Sequence, residues 1–225
     1  MRQLEESGKR QTAADGADDG GLSDLLARNR VWADAKTLID PGFFKRLVGQ
    51  QRPRYFWIGC SDSRVPATEI VDLDPGEMFV HRNVANLTTP SDPNFAAALE
   101  FAVDVLKVEH IIVVGHYGCG GIQAAMAPDR DDAIGLWLAP VRELYQTVCC
   151  TPDTNADRLC EHNIRAQVKA LAANPLVLRA WARHAALTLH GWVYAIGDGL
   201  LQPVCSPVSR HPDEAVPKLR IAGAS

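Results

Sequence analysis

The chain has 225 residues, 47% of them hydrophobic, which is enough to bury the core of one sizeable domain. A formal net charge of -4 gives no basic surface for nucleic acid, and no apolar run approaches the roughly 18 residues of a membrane helix. We therefore expect neither a nucleic-acid partner nor a membrane partner.

The first segment, residues 1–21, is polar and acidic and carries almost no large apolar side chains, which predicts a disordered tail. It lacks the basic-then-apolar order of a secretory signal, and the expected location is cytoplasmic. Ser23 then predicts the N-cap of a helix. Pro41-Gly42 separates that helix from a short apolar helix that starts at Phe43.

Strand-like and helix-like segments alternate through the middle of the chain, a pattern typical of a mainly parallel β-sheet flanked by helices. The predicted strands start at Tyr55, Met78, Ile111 and His190. The predicted helical segments are a turn at 68–71 and helices from residue 94, from residue 120, and over 134–148, 159–173 and 176–184. We predict one α/β domain over residues 22–205 and an irregular, proline-containing tail over residues 206–225.

Two of the predicted strands end in residues that bind soft metal ions. One leads into Cys60-Ser61-Asp62-Ser63-Arg64, and the other leads into His116-Tyr117-Gly118-Cys119. Ligands of parallel α/β sheets bind at the edge where the strands end, so these side chains are expected to meet. Cys60, His116 and Cys119 form a ligand set that zinc favours, and the fourth position is left for water or for Asp62.

Asp62 and Arg64 follow Cys60 at alternate positions, and an extended chain places such residues on one side. A guanidinium can hold a carboxylate in a two-pronged contact, which would keep Asp62 ionised and directed at water. If the pair broke, Asp62 could bind zinc and displace the nucleophile. The alternative interpretation is that Asp62 and Arg64 form an ordinary salt bridge within a loop and have no role in catalysis.

The number of ligands favours an open, catalytic zinc site over a closed, structural one. A structural site takes four protein ligands, often from close cysteine pairs, and here no fourth Cys or His has a suggestive position. A non-catalytic, zinc-stabilised regulatory module stays an alternative. The remaining cysteines fit no ligand spacing and are interpreted as small, mostly buried apolar groups: Cys149, Cys150, Cys160 and Cys205.

The motifs Cys-x-Asp-x-Arg at 60–64 and His-x-x-Cys at 116–119 resemble those of the β-class carbonic anhydrases, with similarity from about Leu22 to Leu201. The resemblance implies one Zn²⁺ per chain and reversible hydration of carbon dioxide to bicarbonate and a proton through zinc-bound hydroxide. It also implies a homodimer or homotetramer in which the N-terminal helices pack on a partner subunit. Hydrolysis of carbon disulfide or carbonyl sulfide at the same site stays an alternative.

The same resemblance assigns a substrate pocket by position. Gln51 and the backbone N–H of Gly120 would position a substrate oxygen. Phe79, Val84 and Phe101 would line apolar walls suited to a small nonpolar substrate, unless they are ordinary core. The family often has tyrosine at the place of Phe101, so a hydroxyl contact made there is absent.

Four further positions, Trp57, Gly59, Arg82 and Tyr194, match a bicarbonate-inhibited subgroup of that family. Arg82 would pair with the bicarbonate anion, the polar tips of Trp57 and Tyr194 would hold it, and Gly59 would leave room. Binding there would favour the form with Asp62 on zinc, giving an enzyme that turns on near or above roughly pH 8. The alternative interpretation is that Trp57 and Tyr194 are aromatic residues of the core and that Arg82 is a surface cation.

Overall fold

The computed structural model describes residues 21–148 and 155–209. The chain divides into two compact units, residues 1–49 and residues 50–225, while the boundaries predicted near residues 22 and 205 stay a prediction. Within the described ranges, no helix combines the length and the apolar character that a membrane crossing needs.

The first unit contains two helices, α1 (Leu22–Ile39) and α2 (Phe43–Val48). The prediction of Ser23 as the N-cap of α1 is wrong, because the helix already begins at Leu22. Gly21 precedes it with a φ of 84°, a left-handed conformation that glycine adopts without steric cost. The chain therefore turns into the helix at the glycine, and Ser23 lies in the first turn.

The apolar side chains of α1 are largely exposed within this chain. Trp32 packs edge-on against Phe44 of α2, with ring centroids 5.7 Å apart. No residue of α1 is buried, however, and Leu38 and Ile39 are 86% and 83% exposed. One chain alone leaves these leucine and isoleucine side chains in contact with water.

A five-stranded sheet is the centre of the second unit, with strand order β2-β1-β3-β4-β5. The first four strands are parallel, and β5 is antiparallel to β4. The strands are β1 (Tyr55–Cys60), β2 (Met78–Asn83), β3 (His110–His116), β4 (Thr188–Ala195) and β5 (Leu200–Pro203). The predicted mainly parallel α/β fold is confirmed. The strand β5 lies outside the predicted strands, because its four residues are mostly exposed and end in proline.

Within the described part of the second unit, five helices connect strands of the sheet. They are α3 (Pro93–Glu100), which continues through a π-helical segment (Phe101–Leu106), α4 (Gly120–Met126), α5 (Ala133–Val148), α6 (Ala156–Ala172) and α7 (Pro175–Ala182). Short 3-10 turns lie at Glu69–Val71 and Val84–Asn86. The predicted helices therefore form, with ends shifted by at most three residues. Residues 149–154, which include Cys149 and Cys150, lie outside the described residues.

Alternate residues of the strands face two different apolar clusters. Phe56 and Ile58 of β1 belong to a large core that they share with side chains of α3 to α7. Trp57 between them belongs to a smaller cluster on the opposite face of the sheet, with Val65 and Tyr194. The carboxyl ends of β1 and β3 therefore lie at an edge supported from both faces.

The chain after β5 stays attached to the sheet for several residues. Val208 exchanges two backbone hydrogen bonds with Leu189, at 2.8 and 2.9 Å. Part of the predicted irregular tail is therefore paired with β4, and residues 210–225 lie outside the described residues.

Candidate metal centre

The three predicted zinc ligands meet at one edge of the sheet. Cys60 is the last residue of β1, His116 is the last residue of β3, and Cys119 directly precedes α4. All three side chains are buried. Within residues 21–148 and 155–209, this is the one group of three His, Cys, Asp or Glu side chains close enough to share a metal ion.

The spacing of the ligand atoms fits zinc. The Sγ atoms of Cys60 and Cys119 are 3.8 Å apart, and with the ring nitrogen of His116 all three ligand atoms lie within 4.8 Å of one another. Zinc–sulfur bonds of about 2.3 Å at a tetrahedral angle would place two sulfurs roughly 3.8 Å apart. The pair of thiols therefore already has the separation that a shared zinc ion requires.

The imidazole of His116 is oriented as a metal ligand would be. Its Nδ1 lies 3.0 Å from the carbonyl oxygen of Tyr117, to which it donates, and this contact assigns the lone pair to Nε2. Nε2 is buried, and no group within residues 21–148 and 155–209 meets it at hydrogen-bond geometry. A buried acceptor without a partner is costly unless a cation or a donor binds it, so the ring fits a zinc site.

Each sulfur accepts hydrogen bonds from the backbone as well. Two N–H groups point at each thiol: those of Asp62 and Ala85 at Cys60, and those of Gly121 and Ile122 at Cys119. Hydrogen bonds to sulfur stabilise the thiolate form that binds metal. The backbone around the cluster therefore carries four donors that favour negative charge on the two sulfurs.

The hydrogen bond between the two thiols shifts their pKa values in opposite directions. The hydrogen bond from Cys119 lowers the pKa of Cys60 to about 4, despite burial and with further help from His116. The same contact, together with burial, raises the pKa of Cys119, which keeps the proton. Burial alone would lower the pKa of His116, but its contact with Cys60 and smaller effects raise it overall. Of the two sulfurs, that of Cys60 is therefore the one whose thiolate form the site favours.

Asp62 is held by Arg64 in a two-pronged contact. Arg64 donates from Nε to Oδ1 at 3.0 Å and from Nη2 to Oδ2 at 2.7 Å, and its backbone N–H adds a third bond at 2.9 Å. The Arg64 side chain is the main reason that the pKa of Asp62 lies well below its usual range. Oδ2 is 3.7 Å from Nε2 of His116. Of the two arrangements considered for Asp62, the pair with Arg64 is formed in this structure.

The four positions assigned to bicarbonate regulation lie next to the metal cluster. Trp57 is buried, and its Nε1 has no hydrogen-bond partner. A Cβ on Gly59 would lie only 2.3 Å from that nitrogen, so glycine makes room for the indole. Arg82 donates to the carbonyl oxygens of Cys60 at 2.8 Å and Asp62 at 2.5 Å. Tyr194 pairs with His116 in the sheet.

The substrate residues assigned by resemblance fall into two groups. Gly120 starts α4 directly after Cys119, and Val84 lies against the next glycine, where a Cβ on Gly121 would be 2.8 Å from its Cγ1. Val84 is 43% exposed. These residues border the metal cluster of their own chain, and the exposed valine side chain leaves an apolar surface beside it.

The other three substrate residues lie away from the cluster of their own chain. Phe79 pairs with Phe56, four residues before Cys60, which is roughly 13 Å at about 3.3 Å per residue. Phe101 packs on Phe79, with ring centroids 5.8 Å apart, and is 40% exposed. Gln51 precedes β1 and therefore lies beyond the opposite edge of the sheet. One chain does not bring these side chains to its own zinc ligands.

The first part of α6 supports the loop that carries His116 and Cys119, and the motifs do not reveal this. Cys160, interpreted as a buried apolar group, is buried, and its Sγ–H donates to the His116 carbonyl oxygen at 3.3 Å. Glu161 accepts a hydrogen bond from the Tyr117 hydroxyl at 3.0 Å. Cys205 is half-buried, and the four cysteines within the described ranges are all free thiols.

Two further polar side chains on α6, the buried Asn163 and the half-buried Gln167, also lie behind the site. Their spacing of four residues on an otherwise apolar helix face is the signal that sequence reasoning could have used.

Comparisons with known proteins agree with this arrangement. A protein-family model described as carbonic anhydrase matches residues 55–201. A carbonic anhydrase of Emericella nidulans is 41% identical over 184 residues, which cover 79% of this chain and 81% of that protein. A carbonic anhydrase of Candida albicans is 34% identical over 206 residues, or 88% of this chain and 73% of that protein.

Solved structures extend the similarity to the fold. The Coccomyxa beta-carbonic anhydrase in complex with acetazolamide superimposes with a TM-score of 0.80 at 40% identity, covering 83% of this chain and 87% of that one. A structure from a study of two tetrameric beta-carbonic anhydrases of Sordaria macrospora superimposes with a TM-score of 0.79 at 35% identity. The match covers 85% of this chain and 100% of that one. With the family model matching more than half of its length, this chain belongs to the β-class carbonic anhydrases.

Proposed function

We propose that the enzyme holds one Zn²⁺ per chain with Cys60, His116 and Cys119 and catalyses the reversible hydration of carbon dioxide to bicarbonate and a proton. The observation that carries the proposal is the ligand cluster itself, with two sulfurs 3.8 Å apart beside a buried Nε2 that has no hydrogen-bond partner. Zinc held by these three side chains would lower the pKa of a water bound to it, which would make hydroxide available near neutral pH to attack carbon dioxide.

Asp62 is the side chain best placed to act on the attacking oxygen. Its Oδ2 borders the cluster at 3.7 Å from Nε2 of His116, and Arg64 keeps the carboxylate ionised. Two thiolates cancel much of the charge on zinc and weaken its effect on water, so an added acceptor that orients this water is useful. Attack by the hydroxide oxygen would form one new carbon–oxygen bond while one carbon–oxygen π bond of carbon dioxide opens, which gives bicarbonate. A water molecule would then replace the bicarbonate and lose its proton to solvent.

Stopped-flow hydration of carbon dioxide, with zinc content measured on the same sample, tests this function. We expect about one zinc per chain and a hydration rate that falls by about 10²–10⁴-fold in Asp62→Asn, which removes the charge and leaves the three ligands in place. Cys60→Ser should lose both zinc and activity.

Two results of the same experiment would point to the alternatives. A carbon disulfide assay run beside it would show faster turnover if the site is that of a hydrolase. Zinc near one per chain with neither activity would instead support a non-catalytic module.

We further propose that Asp62 and Arg64 act as a switch controlled by bicarbonate. The support is the unpartnered, buried N–H of Trp57, which offers a hydrogen bond to an anion. Arg82 holds the carbonyl oxygens of Cys60 and Asp62, so its transfer to a bound bicarbonate would release the segment that carries Asp62. The carboxylate could then leave Arg64 and bind zinc, which would block the reaction.

We also propose that the active site is completed by a second copy of the chain, in a homodimer or a homotetramer. The support is the location of Gln51, Phe79 and Phe101, which lie away from the cluster of their own chain while Phe101 stays 40% exposed. The exposed apolar side chains of α1 supply further surface for a partner. The Sordaria macrospora relatives are described as tetrameric.

A further inference from the structure

The segment after β2 contains two consecutive residues in a left-handed conformation. Ala85 has φ 65° and ψ 22°, and Asn86 has φ 50°. Asparagine tolerates this conformation, but the Cβ of alanine clashes with its own backbone there, which makes Ala85 an unusual residue for the position. The surrounding structure must therefore hold the backbone of Ala85 in place.

The left-handed conformation directs a backbone N–H toward the metal centre. Ala85 is fully buried, and its backbone N–H is one of the two that donate to the Sγ of Cys60. In a more common backbone conformation this N–H would point in another direction. The energy stored at Ala85 is thus coupled to a hydrogen bond on a zinc ligand.

Two linked side-chain amides on α6, one buried and one half-buried, hold this segment. Asn163 donates from Nδ2 to the carbonyl oxygen of Ala85 at 2.9 Å, and Gln167 donates from Nε2 to Oδ1 of Asn163 at 2.9 Å. Oε1 of Gln167 accepts from the backbone N–H and the hydroxyl of Thr88, both at 2.8 Å. Asn163 and Thr88 are buried, so these bonds form away from competing water.

We propose that Asn163 and Gln167 are positioning residues of the metal centre, which hold Ala85 left-handed and thereby keep its N–H on the Cys60 sulfur. Such a hydrogen bond withdraws charge from a thiolate. It therefore changes both the affinity of the site for the metal and the charge that the sulfur donates to the metal. The inference rests on the proposed zinc function, but it concerns residues that touch neither the metal nor the substrate.

The test uses the full-length protein loaded with Co²⁺, whose sulfur-to-metal charge-transfer absorption reports on the thiolates. Gln167→Ala should shift this absorption and speed the transfer of metal to a chelator by about ten-fold. Val168→Ala is the matched control, because Val168 is buried on the same helix but belongs to the apolar core. It should leave the absorption and the transfer rate unchanged.

Repeating the Gln167→Ala substitution in an Ala85→Gly protein distinguishes a positioning role of Gln167 from a loss of packing. Ala85→Gly removes the steric cost of the left-handed conformation, so Gln167→Ala should then speed metal transfer by less than about two-fold. An equal effect in both backgrounds would overturn the inference, as would the same spectral shift in Val168→Ala. If Gln167→Ala does not fold, Thr88→Val removes one donor of the same network, and Thr88→Ser keeps it as the conservative comparison.

The outcome for the unmodified protein keeps the two proposals apart. A chain that binds neither Co²⁺ nor Zn²⁺ would refute the zinc centre, and this inference with it. A chain that binds Co²⁺ normally, with an absorption that Gln167→Ala leaves unchanged, would refute only the positioning role.

Discussion

At the residue scale, the Asp62–Arg64 pair limits what the pH dependence of the enzyme can mean. Arg64 holds the pKa of Asp62 well below its usual range. A carboxyl group with a lowered pKa loses its charge only as the pH falls through that lowered value, so Asp62 stays ionised from about pH 6 to pH 9. Loss of activity below about pH 8 would therefore come from something other than protonation of Asp62.

We expect the pH profile to depend on bicarbonate. Activity should be low at mildly acidic pH and rise near or above roughly pH 8, and lower bicarbonate should move the rise to lower pH, because less anion competes for Arg82. Hydration rates against pH at two bicarbonate concentrations measure this. The variant Trp57→Phe with Tyr194→Phe lacks both polar tips and should lose the bicarbonate effect. A flat wild-type profile, or regulation that survives in this variant, would contradict the switch.

Gly59 offers a second test at the same scale. A Cβ there would come within 2.3 Å of Nε1 and 3.0 Å of Cδ1 of the buried Trp57 ring, so Gly59→Ala must push the indole aside. We expect the free energy of unfolding to fall by about 1–3 kcal/mol, the usual cost of overpacking, with weaker inhibition by bicarbonate. Urea denaturation measures the first effect. Gly197→Ala is the control, since its Cβ would meet no atom within 4 Å; equal stability of both variants would argue against a tight fit at Trp57.

At the element scale, the strands that carry the zinc ligands are the ones that sequence predicts best. β1 and β3 are buried along nearly their whole length, so they appear as continuous apolar runs and their ends locate Cys60 and His116. β5 has no such signal, because it is short, mostly exposed and paired only at the edge of the sheet. Its place depends on the turn after β4 rather than on its own residues.

The supporting helix α6 illustrates what local patterns miss at the site. Its amphipathic spacing predicts a helix, and a helix forms at Ala156–Ala172. The role of Gln167 depends instead on a contact with Thr88, 79 positions away in the chain. The left-handed φ of Ala85 is equally invisible, because alanine predicts the opposite. The ligands of a metal centre can thus be read from motifs, whereas the groups that orient them depend on the folded chain.

At the scale of the whole molecule, the two halves of the predicted substrate site lie at opposite ends of β1. The zinc ligands and Gly120 meet at the carboxyl edge of the sheet, whereas Gln51 lies before the amino end of the strand. Six residues of strand separate these ends, which is roughly 17–20 Å. A glutamine side chain cannot span that distance, so a role for Gln51 in catalysis requires a second copy of the chain.

A mixed dimer tests this requirement directly. A chain with Cys60→Ser lacks the metal site but keeps Gln51, and a chain with Gln51→Ala keeps the metal site. If Gln51 acts across the interface, a purified heterodimer of the two has one complete site and should show about half the wild-type hydration rate per dimer. Each variant alone should be strongly impaired, because every site of its homodimer lacks one of the two residues.

The reciprocal heterodimer controls for effects that act within a chain. One wild-type chain paired with a chain that carries both substitutions has no complete site if Gln51 is shared, since the intact metal cluster faces an alanine. It should therefore keep only about half the residual rate per dimer of the Gln51→Ala homodimer, which has two intact metal clusters instead of one. If Gln51 instead acts in its own chain, this second heterodimer keeps about half the wild-type rate and the first one stays impaired, which would exclude the shared site.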